Sequence, residues 1–260
     1  MAIELYNDGN HIVHAFYDLV DDKATNAVQC NQFLVIDNGH GALIDPGGNM
    51  TYTGLLIDMQ KHFSSRELNY ILASHPDPDI IASVNKWFVA SSCKVMISSL
   101  WVRFVPHFTT GKDNSNRIVG IPDDGGLISL GRCKIVALPA HFMHAEGNFQ
   151  FYDPIAKILF SGDLGASIVP HDQASIPITN FASIVKYMHD FHKRYIVSGK
   201  VCRYWAQMVR QLQIDQIVPQ HGCRLVGKQA VNDFIDWIEQ LECGVDLMTQ
   251  SHYQLPRKML

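Results

Sequence analysis

The chain contains no apolar run near the ~20 residues that would span a bilayer. Its first residues, Met1 to His11, lack the cationic, apolar and small-residue order of an export signal, so a cytoplasmic protein with no membrane partner is expected. Basic runs are also missing. With 21 basic against 25 acidic residues and a net charge of −4, nothing supplies the phosphate contacts that a nucleic acid needs. The six cysteines are scattered, with no C-x-x-C pair, which argues against a zinc ribbon or a disulfide framework and for reduced thiols. No internal repeat or linker divides the 260 residues, so one domain over 1–260 is expected, with a 47% hydrophobic composition ample for a core.

What is present is a succession of short apolar strands, each stopped by turn residues. Gln32 to Asp37 and Ala42 to Asp45 flank Asn38-Gly39, the signature of a hairpin. Strands are predicted at Tyr70 to Ala73, Val95 to Ser98, Lys134 to Leu138, Phe149 to Tyr152, Lys157 to Ser161 and Gln216 to Pro219. Helical periodicity falls at 52–63, 178–192, 201–212 and 228–241. The stretch from Thr109 to Gly126, rich in Gly, Asp, Asn and Pro, reads as a long loop that could serve as a lid. Strands in runs with helices between and after them predict an α/β fold of two sheets covered by helices, a four-layer αββα sandwich.

Thirteen histidines are many for this length, and several fall just after strands. His75-Pro76-Asp77-Pro78-Asp79 places an imidazole and two carboxylates at alternate positions behind a strand. Each of three further strands ends the same way: one runs to His141 and His144, one to Asp163, and one to His221. Four strand ends converging on one sheet edge would gather a His/Asp cluster without sulfur, a donor set suited to two first-row metals bridged by an aspartate. His107, His171 and His189 read as surface or structural residues.

On these residues the chain resembles the diiron domain of flavodiiron proteins and, more closely, its flavin-free relatives, the oxygen-binding diiron proteins of the metallo-β-lactamase superfamily. The resemblance covers roughly residues 25–245. His75, Asp77 and Asp79 fill the first places of the family motif, Asp163 follows His144 by the family's 19 positions, and His221 matches the last histidine. That spacing selects His144 over His141, which is left as either a further ligand or a residue hydrogen-bonded behind the ligands. The resemblance implies one metal on His75, Asp77 and His144, another on Asp79 and His221, and Asp163 bridging both. Two departures stand out: Asp77 replaces a glutamate, and Ile80 occupies the place of a second clustered histidine, so it would line the pocket without binding metal.

A carboxylate-rich donor set favours iron over the zinc pair of hydrolytic relatives. The expected cofactor is two iron ions, oxo- or peroxo-bridged, with no flavin: the chain ends at Leu260, soon after the similarity, without a flavodoxin-like domain. The resemblance thus implies a protein that binds dioxygen persistently or reversibly, an oxygen sensor in bacterial signalling and chemotaxis, partnered by a signalling protein. Slow reduction of dioxygen or nitric oxide with an external electron donor is the alternative, and a zinc-dependent hydrolase comes third. No catalytic residue is assigned, and family habit implies a homodimer.

Overall fold

The computed structural model describes residues 2–20, 27–110, 114–170 and 173–256. Seven strands form the first sheet in sequence order: β1 (Ala2–Asn7), β2 (His11–Phe16), β3 (Gln32–Asp37), β4 (His40–Ile44), β5 (Leu68–Leu72), β6 (Lys94–Ser98) and β7 (Ile118–Ile121). The second sheet has the order β13-β12-β11-β10-β9-β8, built from β8 (Gly126–Leu130), β9 (Cys133–Pro139), β10 (Phe149–Asp153), β11 (Ile158–Phe160), β12 (Gln216–Val218) and β13 (Leu225–Val226). Helices α1 (Tyr52–Met59), α2 (Pro78–Ile81) and α3 (Val84–Ala90) cover the first sheet. Helices α4 (His189–Tyr195), α5 (Gly199–Val209) and α6 (Lys228–Glu239) lie on the side of the second.

The layering follows from alternation along strands that have no polar face. Successive side chains point to opposite faces of a sheet. In β3, Phe33 and Val35 enter the core between the sheets, while Leu34 and Ile36 join Leu55, Met59, Ile80 and Trp87 under α1–α3. In β11 and β12, Ile158, Phe160 and Val218 face inward, whereas Leu159 and Ile217 meet Trp205, Phe234 and Ile238 of α5 and α6. The central strands of both sheets are therefore buried on both faces, which gives the expected four-layer αββα sandwich. Asn38 (φ 48°) and Gly39 (φ 82°) form the tight β3–β4 turn that their residue types require.

Three sequence expectations change. The supposed long loop from Thr109 to Gly126 contributes β7 and the start of β8, the latter pairing with β9; these strands are too short and too interrupted by Pro122 and Gly125 to stand out. The helix expected at 178–192 is instead two single 3-10 turns, Phe181–Ser183 and Val185–Tyr187, before α4 begins at His189. Asn180 turns its side chain onto the Ala182 amide and starts the first of them. Residues 2–16 form a hairpin, β1–β2, that the sequence reading did not anticipate. His171 lies outside the described residues, and His107 and His189 are exposed.

Candidate metal centre

The strand ends converge, but across the two sheets rather than on one sheet edge: β5 belongs to the first, and β9, β11 and β12 to the second. Residues before proline are driven to extended backbone, so Pro76 and Pro78 hold His75 and Asp77 extended and their side chains, two positions apart, fall on one side. Asp77 (ψ 152°) then stands at the N-cap position of α2 with no side-chain capping bond, and Asp79 sits in the helix's first turn. Asp163 arrives on the turn after β11, where Gly162 (φ 56°) lets the chain pass against Ser74: a Cβ there would lie 3.0 Å from the Ser74 hydroxyl. His221 follows β12, and Gly222 (φ 77°) leaves the Ser167 carbonyl no room for a side chain.

The result is a chain of donor atoms with Asp163 in the middle. His144 Nε2 lies 3.1 Å from Asp77 Oδ2 and 3.5 Å from Asp163 Oδ2. His75 Nε2 lies 3.5 Å from Asp77 Oδ2 and 3.8 Å from Asp163 Oδ1. On the other side, His221 Nε2 lies 3.2 Å from Asp79 Oδ2 and 3.7 Å from Asp163 Oδ1. Two donors each about 2.1 Å from one cation stand roughly 3–3.5 Å apart. Four of the six spacings fall in that range, and four are 3.5 Å or more, long for hydrogen bonds. The buried atoms His75 Nε2 and Asp163 Oδ1 have no hydrogen-bond partner, which a native interior rarely tolerates.

Neighbours fix which nitrogen each ring offers. His221 Nδ1–H donates to the Gln29 carbonyl at 2.6 Å, leaving Nε2 as the free donor atom. His75 Nδ1 lies 2.9 Å from the Ser74 hydroxyl, which is bonded in turn to Asp45; Asp45 also accepts the Ser74 amide. This carboxylate–hydroxyl–imidazole arrangement is the usual means of orienting a metal-binding histidine. Burial disfavours charge on His75, but Asp163 and Asp77 outweigh it and hold its pKa near 9; the same balance raises His221, with Asp79 its main partner. The hydrogen bond from His144 and the nearby imidazole of His75 hold Asp77 well below the usual carboxylate range. Negative charge is thus in excess around the imidazoles, as a cation site requires.

His141 stands apart from the cluster: its Nε2–H donates to the Asp123 carbonyl at 2.8 Å and its ring packs edge-on to Phe149. Ile80 is wholly buried in the apolar core under α1–α3. Sequence reasoning missed the aromatic backing of the site, where the Phe191 ring lies parallel to His144 (centroids 5.7 Å, planes 11° apart) and Tyr195 is 5.3 Å away. Nothing in the separation of these residues from His144 along the chain signals that contact. The cysteines, all free and buried, contribute no atom to this cluster.

Fold and site together define a metallo-β-lactamase-like domain with a carboxylate-rich candidate metal centre. The family model described as "ODP family beta lactamase" matches residues 28–222, and the chain belongs to that family. Two solved structures of the chemotaxis sensor ODP, one an apo state from T. denticola and one a peroxy diiron species, are each 34% identical. They superpose with TM-scores of 0.85 and 0.84 over 95% of this chain and 97% of theirs. Rubredoxin oxygen:oxidoreductase from Desulfovibrio gigas shares the fold (TM-score 0.77, 14% identity, 92% of this chain and 61% of that one). An uncharacterized protein of Methanocaldococcus jannaschii is 24% identical over 208 residues, 79% of this chain; the chain spans about half the length of that curated relative (51%).

Proposed function

We propose that this protein is a non-haem diiron protein that binds dioxygen and serves as an oxygen sensor in bacterial chemotaxis. The observation that carries the reading is the position of Asp163, whose two oxygens stand 3.5–3.8 Å from the Nε2 atoms of His75, His144 and His221. One metal would be held by His75, Asp77 and His144, the other by Asp79 and His221, with Asp163 shared. Two ferrous ions supply the redox chemistry and the point of attachment that dioxygen needs. The protein's own residues do the rest. Ser74 and the Gln29 carbonyl keep two imidazoles aimed inward, while half-exposed Asp77 and Asp79 mark the side open to solvent. Ile80, hydrocarbon buried under α1–α3, stands where the family motif has a second clustered histidine, so the second metal would have one ligand fewer. The 34% identity to a chemotaxis sensor over nearly the whole chain supports signalling over turnover.

No helix among the described residues is long and apolar enough to cross a membrane. We take the protein to be cytoplasmic, a single domain and a homodimer, with a chemotaxis signalling protein as partner; light scattering that found only single chains would reject the dimer. The deciding experiment is metal analysis of anaerobically purified protein, followed by its absorption spectrum on admitting air. Two irons per chain and a persistent new charge-transfer band are expected. Rapid decay of that band with oxygen consumption, when an external reductant is present, would move the protein to the reductases. Zinc with no spectral response would overturn the reading.

A further inference from the structure

Helix α4 touches the candidate centre at two separate points. His192 is wholly buried, and its Nε2 accepts the Gly165 amide at 2.8 Å, two residues beyond Asp163. Its Nδ1 lies 2.8 Å from the Met188 carbonyl. A carbonyl only accepts and an amide N–H only donates, so the ring must carry its one proton on Nδ1 and keep Nε2 bare. Burial holds the ring neutral, with a pKa near 4, so both bonds persist at any physiological pH. One residue earlier, Phe191 lies parallel to the His144 imidazole, and Tyr195 packs against both rings, 4.7 Å from Phe191. The histidine itself sits in a loop containing Phe142 at φ 65°, a strained backbone for a bulky side chain. Its imidazole lacks a partner on Nδ1, so unlike His75 and His221 it has no hydrogen bond orienting it from behind.

We infer that α4 is the positioning element of the metal centre: His192 sets the turn that carries Asp163, and Phe191 sets the His144 ring. The inference rests on the two-metal reading of the site. It assigns unequal scope to two adjacent residues. Asp163 is shared, so loosening its turn weakens both metals, whereas His144 serves one metal, so removing its aromatic backing weakens only that one.

The test compares His192→Phe, His192→Gln and Phe191→Leu with wild-type holoprotein by competitive chelator titration, with thermal melting of each metal-free form to register folding. Phe keeps the ring but offers neither hydrogen bond, and both metals should bind about 10–100-fold more weakly, the range typical of losing a group that orients a ligand. Gln can accept from Gly165 and donate to Met188, so it should restore most of the affinity without having to restore the melting temperature of the wild type. Phe191→Leu should give one wild-type and one weakened metal, with a shifted ferric charge-transfer band. Wild-type affinity in His192→Phe, no rescue by Gln, or equal weakening of both metals in Phe191→Leu would overturn the inference. If His192→Phe fails to fold, the one-metal outcome of Phe191→Leu decides. Should the wild type take two zinc ions instead of iron, the functional reading falls, but the same titration run with zinc still tests α4.

Discussion

Two His/carboxylate clusters sit at opposite ends of the same two sheets. At the end where β4, β5, β9, β11 and β12 finish lies the candidate metal centre. At the other end, where β2 starts and β3 and β10 finish, His11 is held between Asp37 (Nδ1 to Oδ1, 3.0 Å) and Asp153 (Nε2 to Oδ2, 2.6 Å). These residues are almost fully buried, and with Cys133 they too resemble a metal site by proximity alone. The difference is hydrogen-bond satisfaction. Asp37 also accepts the amides of Arg132 and Cys133, and Asp153 those of Ile155 and Ala156. Both carboxylates are acceptors, so both His11 nitrogens must carry protons: an imidazolium clamp joining the two sheets. In the metal centre, by contrast, His75 Nε2 and Asp163 Oδ1 are buried with no such partner. The lesson is that residue types and nearness do not distinguish a cation site from a structural ion triad, whereas leftover donor atoms do.

The sharpest way to break this comparison is Asp163→Ala, which should remove metal from both positions, because two cations would repel across a site that has lost its shared anion. Retention of two metals per chain in elemental analysis would contradict the bridging assignment. At the other pole, His11→Ala strands two buried carboxylates, and urea unfolding should register a loss of about 3–5 kcal/mol while the folded protein keeps its full metal complement. A variant that lost metal but not stability would reverse the roles of the two clusters.

The poles should also respond oppositely to pH. Burial opposes charge on His11, but its bonds to Asp153 and Asp37 raise its pKa above the ordinary value. A raised folded-state pKa gives stability that is complete below the unfolded value and lost as pH climbs through the folded one. Denaturant midpoints of metal-free protein should therefore fall on alkalinisation, and Asp153→Asn should flatten the trend. Metal affinity should move the other way, rising as pH increases towards about 9, because a cation must displace the proton that the surrounding carboxylates hold on His75. A chelator titration from pH 6 to 9 checks the sign. The smallest effect is expected from Ile80→His, which places an imidazole where Ile80 now fills core: some stability should be lost, and the charge-transfer band should shift only if the new ring reaches the second metal. An unchanged spectrum would remove Ile80 from the account of the site.

Legibility in the sequence differed between these regions for a physical reason. The candidate ligands His75, Asp77, Asp79, Asp163 and His221 could be read because each ends or follows a short apolar strand, and β5 of the first sheet and β11 and β12 of the second bring their ends together. His144 over His141 came from spacing, and the structure turns His141 to the Asp123 carbonyl instead. The β1–β2 hairpin was not read, since its mixture of polar and apolar residues follows no clean alternation and its partner strand β3 is what orders it.

The sequence by itself determined the layers and the donor types, because alternation and turn chemistry act within a few residues and each strand needs only its own pattern to bury two faces. Only the tertiary structure decided which histidines are bound by hydrogen bonds and which are left free. His11 and Asp153 are 142 positions apart, as are Asp79 and His221, so separation along the chain does not distinguish the pairs. What separates them is whether backbone amides reach the carboxylates. Asp153 takes those amides from its own turn, but Arg132 and Cys133 reach Asp37 only because the second sheet packs on the first, and a hydrogen bond is won or lost over less than an ångström.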